Sequence, residues 1–570
     1  GNSYSVPAES TVLEAAHYAG IDIPTLCYLK DVNKIGACRA CIVEIKGAKT
    51  YQAACVYPVS EGLEITTTSP ALRRARKINL ELLLSNHKRE CTSCVRSRNC
   101  ELQTLADELN VTDIAYEGVK CDLPIDATSP SIVRDPQKCI VCRRCIGACK
   151  NVQAIGVIEA VNRGFNTTIA PAFNRNLGDA ACVNCGQCIV ACPVGALSEN
   201  SHIDAVWAAI EDPDKYVIAQ TAPAVRAAIG EEFGLPIGTP ATSHMVGSML
   251  QMGFSNVFDT DTGADLTILE EGTELLQRVT QGGVLPMITS CSPGWIKFCE
   301  HYYPDLLPHL SSCKSPHTMM GAFLKSYYAE KTGIDPKKMV VVSVMPCTAK
   351  KYEAQRPEMG HDGMQDVDYV ITTRELARMI KEAGINFLES EGEYESPFGP
   401  ASGAAVIFGA TGGVMEAALR TVSEILNGEA TDDIEYHAVR GIEGVKEATV
   451  TMGGLDVKVC VAHGLGNART VLDRVRAGEA DYHFIEIMAC PGGCVTGGGQ
   501  PIQPASVRNW IELREERAKA LYNEDLRLPI RKSHENPVIM KDLYEGFFGE
   551  PCGHKSHELL HTHYTARDKF

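Results

Sequence analysis

The sequence predicts a large α/β domain led by three small cysteine-rich domains: the first β-grasp-like, the second helical, the third built on a duplicated cysteine run. Three observations carry this. From about residue 206 to 525, short apolar runs alternate with helical stretches, the pattern of an α/β fold. Most of the 24 cysteines fall in tight clusters before residue 205. A length of 570 residues, at roughly 100–200 per domain, leaves room for several domains.

Taken in order, residues 1–75 hold short β-type runs at 41–45 and 63–67 around a helical patch at 11–19. In the domain taken as 76–124, residues 76–120 read as mainly helical, and the stretch 71–84 leading into them is periodic and charged on one face. Residues 125–205 are loop-rich and crowded with cysteine. In the last domain, 206–570, runs at 216–219, 284–289, 339–345 and 369–371 have the composition of buried strands, and 373–383 is a helical stretch between them. The tail, 526–570, is polar and His-rich and is expected to wrap over the surface.

With 54 Lys and Arg against 71 Asp and Glu, the formal charge is −17, which disfavours a nucleic-acid binder. The chain is 45% hydrophobic, enough for large cores. No charge-free apolar run reaches 18 residues, so no membrane insertion is expected. No secretory leader is visible, and a cytoplasmic location is expected. Close Cys spacing in a large acidic chain reads as metal binding rather than as a disulfide framework.

Cys139, Cys142, Cys145 and Cys149 are spaced CxxCxxCxxxC, and Cys182, Cys185, Cys188 and Cys192 repeat that spacing. Two-cluster ferredoxins use this duplicated run, the fourth Cys of each run serving the other cluster. One [4Fe–4S] site is therefore expected from Cys139, Cys142, Cys145 and Cys192, the other from Cys182, Cys185, Cys188 and Cys149. Paired zinc sites are the alternative, although these prefer separate CxxC knuckles. Cys27, Cys38, Cys41 and Cys55 offer four thiolates in a small β-rich domain, which suits [2Fe–2S], with zinc again the alternative. His87, Cys91, Cys94 and Cys100 supply one imidazole and three thiolates. A structural zinc takes the same set, but a position between two electron-transfer modules favours [4Fe–4S].

Three stretches hold further cysteines, each after a strand-like run, where α/β folds place their sites. They are Thr289-Ser290-Cys291-Ser292-Pro293-Gly294-Trp295, the run from Met345-Pro346-Cys347 through Lys350 to Glu353, and the run from Glu486-Ile487-Met488-Ala489-Cys490 through Cys494 and Gly497-Gly498-Gly499 to Pro501. They resemble the three signature motifs of [FeFe]-hydrogenases, the second and third in full. The likeness extends over nearly the whole chain and points to the clostridial multi-cluster type. It implies reversible conversion of H2 to two protons and two electrons at an H-cluster, a [4Fe–4S] cubane joined to a two-iron unit with CO, cyanide and a dithiolate bridge. The cofactors implied are then one [2Fe–2S], three accessory [4Fe–4S] and this H-cluster. By the resemblance, Cys347, Cys490 and Cys494 ligate the cubane and Cys494 bridges. Lys350 meets a cyanide, Met345 and Met488 pack beside the two-iron unit, and Ala222, Pro223 and Ala224 line its other side.

The first motif departs: the family has two adjacent cysteines, a proton relay and a cubane ligand, where this chain has Cys291 and Ser292. Ser292 or water completes the iron, or Cys291 turns inward as fourth ligand, or Cys313 reaches in. Cys291 is provisionally placed in both the relay and the ligand set. The family relay maps onto Cys291, Glu271, Ser311, Glu274 and Arg278; a solvated acidic helix face is the plainer reading of the two glutamates. A second function class, a non-catalytic iron–sulfur electron-transfer or assembly protein on the same scaffold, would leave Met345, Lys350 and Met488 without a task. No Gly-rich dinucleotide fingerprint is found, so the expected electron partners are ferredoxin or separate flavin- and NAD(P)-binding subunits.

Overall fold

The computed structural model describes residues 1–395, 401–430 and 434–569. It contains two compact units: Gly1–Cys182 with Gln187–Ser198 and Ile502–Glu512, and Val183–Gly186 with Glu199–Pro501 and Leu513–Phe570.

In the first unit, Thr11 caps the helix Val12–Tyr18 through a reciprocal capping box with Glu14. Val12, Leu13 and Ala16 of this helix share a core with Cys41, Val43, Ile45 and Cys55. The sheet beside it is three-stranded and antiparallel, with Ile42–Ile45 between Gln52–Ala53 and Ile65–Thr66. Ser69 caps the next helix, Pro70–Asn86, whose first-turn proline lacks an N–H that would have no helical partner there anyway. Leu80 and Leu84 of this helix and Leu102 and Leu105 of Glu101–Glu108 pack with Ile132, Ile140, Ile146, Cys142, Cys145 and Cys192. The helical region expected to 120 is shorter: Asn110 takes a left-handed φ of 50° after the last turn, and residues 111–125 form no helix or strand.

Residues 502–512, expected with the 206–570 domain, pack in this first unit. The Asn509 side chain accepts the Lys30 N–H at 2.9 Å, and Trp510 stacks on His17 with ring centroids 3.5 Å apart.

The second unit is α/β, as the alternation predicts. One sheet is parallel, in the order Tyr369–Thr372, Met339–Met345, Tyr216–Thr221, Asn256–Asp259. Its central strand Met339–Met345 is buried at every position, which is why it reads as an unbroken apolar run. The other sheet runs Met287–Ile288, Phe484–Met488, Leu455–His463, Val445–Met452. Its first three strands are parallel, and the last returns as a hairpin through Gly453 and Gly454, both at positive φ as a tight two-residue turn requires. A long helix, Asp261–Gln281, and Gly413–Asn427 share a second core with this sheet.

The tail does not merely wrap the surface. Ile539, Leu543, Tyr544, Phe548, Leu559 and Leu560 are buried in the main core of this unit. Its polar composition concealed apolar residues at helical spacing on two short helical segments, Val538–Phe548 and His554–Leu560.

Candidate active site

The carboxyl ends of strands from both sheets converge on one cavity with about 840 Å³ of atom-free space. Tyr216–Thr221 delivers Ala222, Pro223 and Ala224, Met287–Ile288 delivers Cys291 and Ser292, Met339–Met345 delivers Met345, Cys347 and Lys350, and Phe484–Met488 delivers Met488, Cys490 and Cys494. All of these residues line it. The Gly-rich turn must lie close to its neighbours: a Cβ at Gly497 would stand 2.2 Å from the Pro346 carbonyl oxygen. Burial pushes the Cys494 thiol up to about 12 and Cys347 up, with Cys347 adding to the shift at Cys494. Cys291, Cys347, Cys490 and Cys494 thus face one apolar cavity, where burial opposes an unpaired thiolate charge.

Lys350 Nζ donates to the Glu353 carboxylate at 2.7 Å, to the Ser315 hydroxyl at 2.7 Å and to the Cys291 carbonyl at 3.1 Å. Glu353 also accepts from His317 at 3.0 Å; burial alone would raise its pKa, but Lys350 and His317 hold it down to about 2. The Ser292 hydroxyl accepts the Ala489 N–H at 3.3 Å, next to Cys490. Burial and the charge of Glu271 push the Cys291 thiol well up. Cys313 does not line the cavity: its thiol faces Glu274 at 3.9 Å, and its backbone forms an antiparallel bridge with His561.

From Cys291 a row of polar groups leads outward. Glu271 is buried, and among the described residues neither of its oxygens has a partner of good geometry, although the Ser311 hydroxyl and Ser290 N–H face it. Burial, then the charge of Glu274, pushes Glu271 up to about 8. Glu274 is fully engaged: it accepts the Ser311 hydroxyl at 2.8 Å, the Ser312 N–H at 3.1 Å and Arg278 at 2.6 Å. Side-chain exposure is 12% at Glu274 and 16% at Arg278, against 2% for Glu271 as a whole residue, so the row runs from the interior toward solvent. Arg278 is anchored in turn on the carbonyl of Leu310 at 2.7 Å.

These placements agree with what the chain matches. Residues 215–498 match the C-terminal domain of the iron-only hydrogenase large subunit, and 511–567 the iron hydrogenase small subunit. An NADP-reducing hydrogenase subunit of Solidesulfovibrio fructosivorans is 49% identical over all of this chain and 98% of its own length. The chain belongs to the iron-only hydrogenase family. Iron hydrogenase 1 of Clostridium pasteurianum is 43% identical over 99% of this chain and 98% of its own. A variant of the apo [FeFe]-hydrogenase of Chlamydomonas reinhardtii, 46% identical, superposes with a TM-score of 0.57 over 65% of this chain and all of that one. The chain is therefore a hydrogenase. Ahead of the catalytic fold it carries a 2Fe-2S binding domain at 1–70, an iron–sulfur region of the NADH-ubiquinone oxidoreductase G type at 76–115, and a 4Fe-4S dicluster domain at 138–196.

The hydrogenase's first unit gathers its cysteines locally. Hydrogen bonds link Cys38 to Cys27, Cys27 to Cys55 and Cys55 to Cys41, lowering Cys27 and Cys41 and raising Cys38 and Cys55. Cys139, Cys142, Cys145 and Cys192 are all pushed up by burial, and Cys192 adds to the shift of the other three. His87 is buried with Nδ1 unpartnered among the described residues, and burial holds it down to about 4, leaving a neutral imidazole. Cys91 is exposed, Cys94 and Cys100 are half-buried, and a Cβ at Gly195 would meet the Cys94 sulfur at 2.5 Å. Cys149, Cys182 and Cys188 pack with the dicluster core, while Cys185 lies in Val183–Gly186, counted with the second unit. The unclustered Cys299 and Cys460 are buried in helix and strand, as core residues would be.

Sequence reasoning missed four polar groups. Glu353 lay inside the quoted second motif, so its signal was present. His317 and His561 carry no motif, and only the fold brings them near the site; Glu270 adjoins Glu271 but carries no motif of its own.

Proposed function

We propose that this hydrogenase holds its H-cluster on Cys347, Cys490 and Cys494, with Met345 and Met488 beside the two-iron unit and Ala222 to Ala224 opposite. The observation that carries this is the convergence of these residues with Lys350 on one apolar cavity. The group supplies the redox chemistry of H2 when bound. The protein's part is to exclude water, orient the group and move protons. Lys350, fixed by Glu353 and Ser315, offers a positive charge at the rim, where one of its donors would be shared with a cyanide. Cys291 is the inner proton carrier rather than an iron ligand, because the charges that bear on it most are Glu271 and Lys350, while the Ser292 hydroxyl turns to the loop of Cys490. From Cys291 protons pass by Glu271 and Ser311 to Glu274, and leave to solvent where Arg278, always protonated, holds that carboxylate. The accessory sets would be Cys27, Cys38, Cys41 and Cys55; His87, Cys91, Cys94 and Cys100; and the two crossed ferredoxin sets. Electrons leave to ferredoxin or to flavin- and NAD(P)-binding subunits. The NADP-reducing name of the Solidesulfovibrio relative favours the latter.

The fully matured protein should contain about 20 irons per chain, the sum over one [2Fe–2S], three [4Fe–4S] and a six-iron H-cluster. It should evolve H2 from a reduced viologen. Cys291→Ala should keep the cubane spectrum and lose turnover. Fewer than about 12 irons, or stoichiometric zinc, overturns the cluster sets, and loss of the cubane in Cys291→Ala returns Cys291 to the ligands.

A further inference from the structure

We propose that His561 is a positioning residue for proton transfer, acting on Glu274 through Ser312. This rests on the proposed path from Cys291 to Arg278. On that path Glu274 is held by Arg278 on one side and by the Ser311–Ser312 turn on the other. The turn is fixed by the C-terminal segment: the Thr562 N–H donates to the Ser312 carbonyl and the Lys314 N–H to that of Leu560, each at 2.8 Å. The Ser312 hydroxyl lies 2.9 Å from His561 Nδ1, and His561 Nε2 lies 2.9 Å from a Glu270 oxygen.

Glu270 Oε2 already accepts the Cys552 N–H, so it takes Nε2–H as a second donor and Nδ1 accepts from the Ser312 hydroxyl. Glu270 is wholly buried, and its other donors come from the same segment: the Tyr544 hydroxyl at 2.7 Å, the Cys552 N–H at 2.6 Å and the Ser556 hydroxyl at 3.4 Å. Every one of these residues, and His561, falls in the stretch matched to the iron hydrogenase small subunit. Glu270 and Glu274 stand one turn apart on the helix Asp261–Gln281. One imidazole thus ties the helix that carries Glu271 and Glu274 to the turn that closes on Glu274. Removing it leaves the Ser312 hydroxyl without its acceptor and Glu270 short of a donor, and it loosens the turn whose N–H and hydroxyl aim the Glu274 carboxylate.

The test uses the full-length matured enzyme. His561→Ala should slow turnover about tenfold, as expected for misplacement rather than loss of a carrier, and should raise the solvent isotope effect. Cluster spectra and the rate of electron entry should not change. His561→Asn, whose amide oxygen can take the acceptor place of Nδ1 but cannot shuttle a proton, should recover most of the rate. Glu274→Gln should lose on the order of 10²–10⁴-fold. If Glu274→Gln keeps full turnover, the path itself fails. If Glu274→Gln is slow while His561→Ala matches the parent in rate and isotope effect, the positioning role alone is overturned. It is equally overturned if His561→Asn is as slow as His561→Ala. Should His561→Ala not fold, Ser312→Ala removes the same bond from the other end, and normal turnover there overturns the proposal.

Discussion

The two units gather their sulfurs in different ways. In the first, spacing does most of the work: Cys139, Cys142 and Cys145 lie within seven residues, and only Cys192 comes from elsewhere. Left-handed backbone at Val141 and Arg143, with φ of 53° and 64°, turns the run on itself between its cysteines. The sulfurs are part of the hydrophobic core, so cluster binding is expected to be coupled to folding there. In the second unit, Cys347 and Cys490 lie more than a hundred residues apart and meet because two sheets end at the same place. There Cys291 and Cys494 are only partly buried and pack against cores built from other residues, and together with Cys347 and Cys490 they line the cavity. The first arrangement is robust in sequence and local in consequence. The second depends on the whole fold but leaves room for chemistry.

The sharpest way to break this comparison is Cys494→Ala. Cys494 is only partly buried and packs against a cluster of Ala224, Ala227, Val406, Val495, Ala520 and Leu521 that it does not itself build, so the variant should fold, keep the spectra of all accessory clusters and lose H2 turnover altogether. Iron analysis beside an H2-evolution assay checks it. Loss of the accessory signals as well would mean that the recess is not independent of cluster binding.

A smaller effect on folding, with its own sign, is expected at Glu271. Its pKa is raised by burial to about 8 from an ordinary 4.5. Between those values the folded chain holds a proton that the unfolded chain releases, so stability falls as pH rises from 4.5 to 8 and levels off above. Glu271→Gln mimics the protonated acid and removes this loss. Its melting temperature should equal the parent's near pH 4.5 and exceed it by a few degrees at pH 8, while turnover drops on the order of 10²–10⁴-fold. A constant difference across pH would show that Glu271 is ionised in the fold. The site therefore carries a group that costs stability under working conditions, as expected where function and packing compete.

The same contrast explains what was legible in the sequence. The strand Met339–Met345 and the helix Thr373–Glu382 were readable because one is an unbroken apolar run and the other opens on a Thr372–Glu375 capping box. The iron–sulfur domains were readable because cysteine spacing is local. The strand expected over 284–289 shrinks to Met287–Ile288; apolar composition marked the region but not where pairing begins. The tail misled because sparse apolar residues at helical spacing count little in an overall polar composition, yet Leu559 and Leu560 are core. His317, Glu270 and His561 were illegible for a plainer reason. Glu270 and His561 matter through partners far along the chain and His317 through Glu353, and a single sequence holds no trace of such pairs.

The smallest and most discriminating effect is expected at His87, the one non-sulfur donor in the first unit's sets. The imidazole is neutral, buried, and has an unpartnered Nδ1 among the described residues, so it can bind a metal without first giving up a proton or a hydrogen bond there. His87→Cys exchanges a neutral ligand for a charged one. If the site holds [4Fe–4S], the cluster should remain and its potential should fall, on the order of 100 mV, because added negative charge stabilises the oxidised state. Turnover with an artificial donor at the second unit should stay within about twofold, since no proton or H2 step passes through this residue. A redox titration followed by EPR checks both signs at once. A zinc site would show no redox signal in either protein and tighter zinc in the variant, because thiolate is the stronger zinc donor. That outcome would remove this site from the electron relay and leave the first unit with three clusters, while the cavity assignments in the second unit would stand.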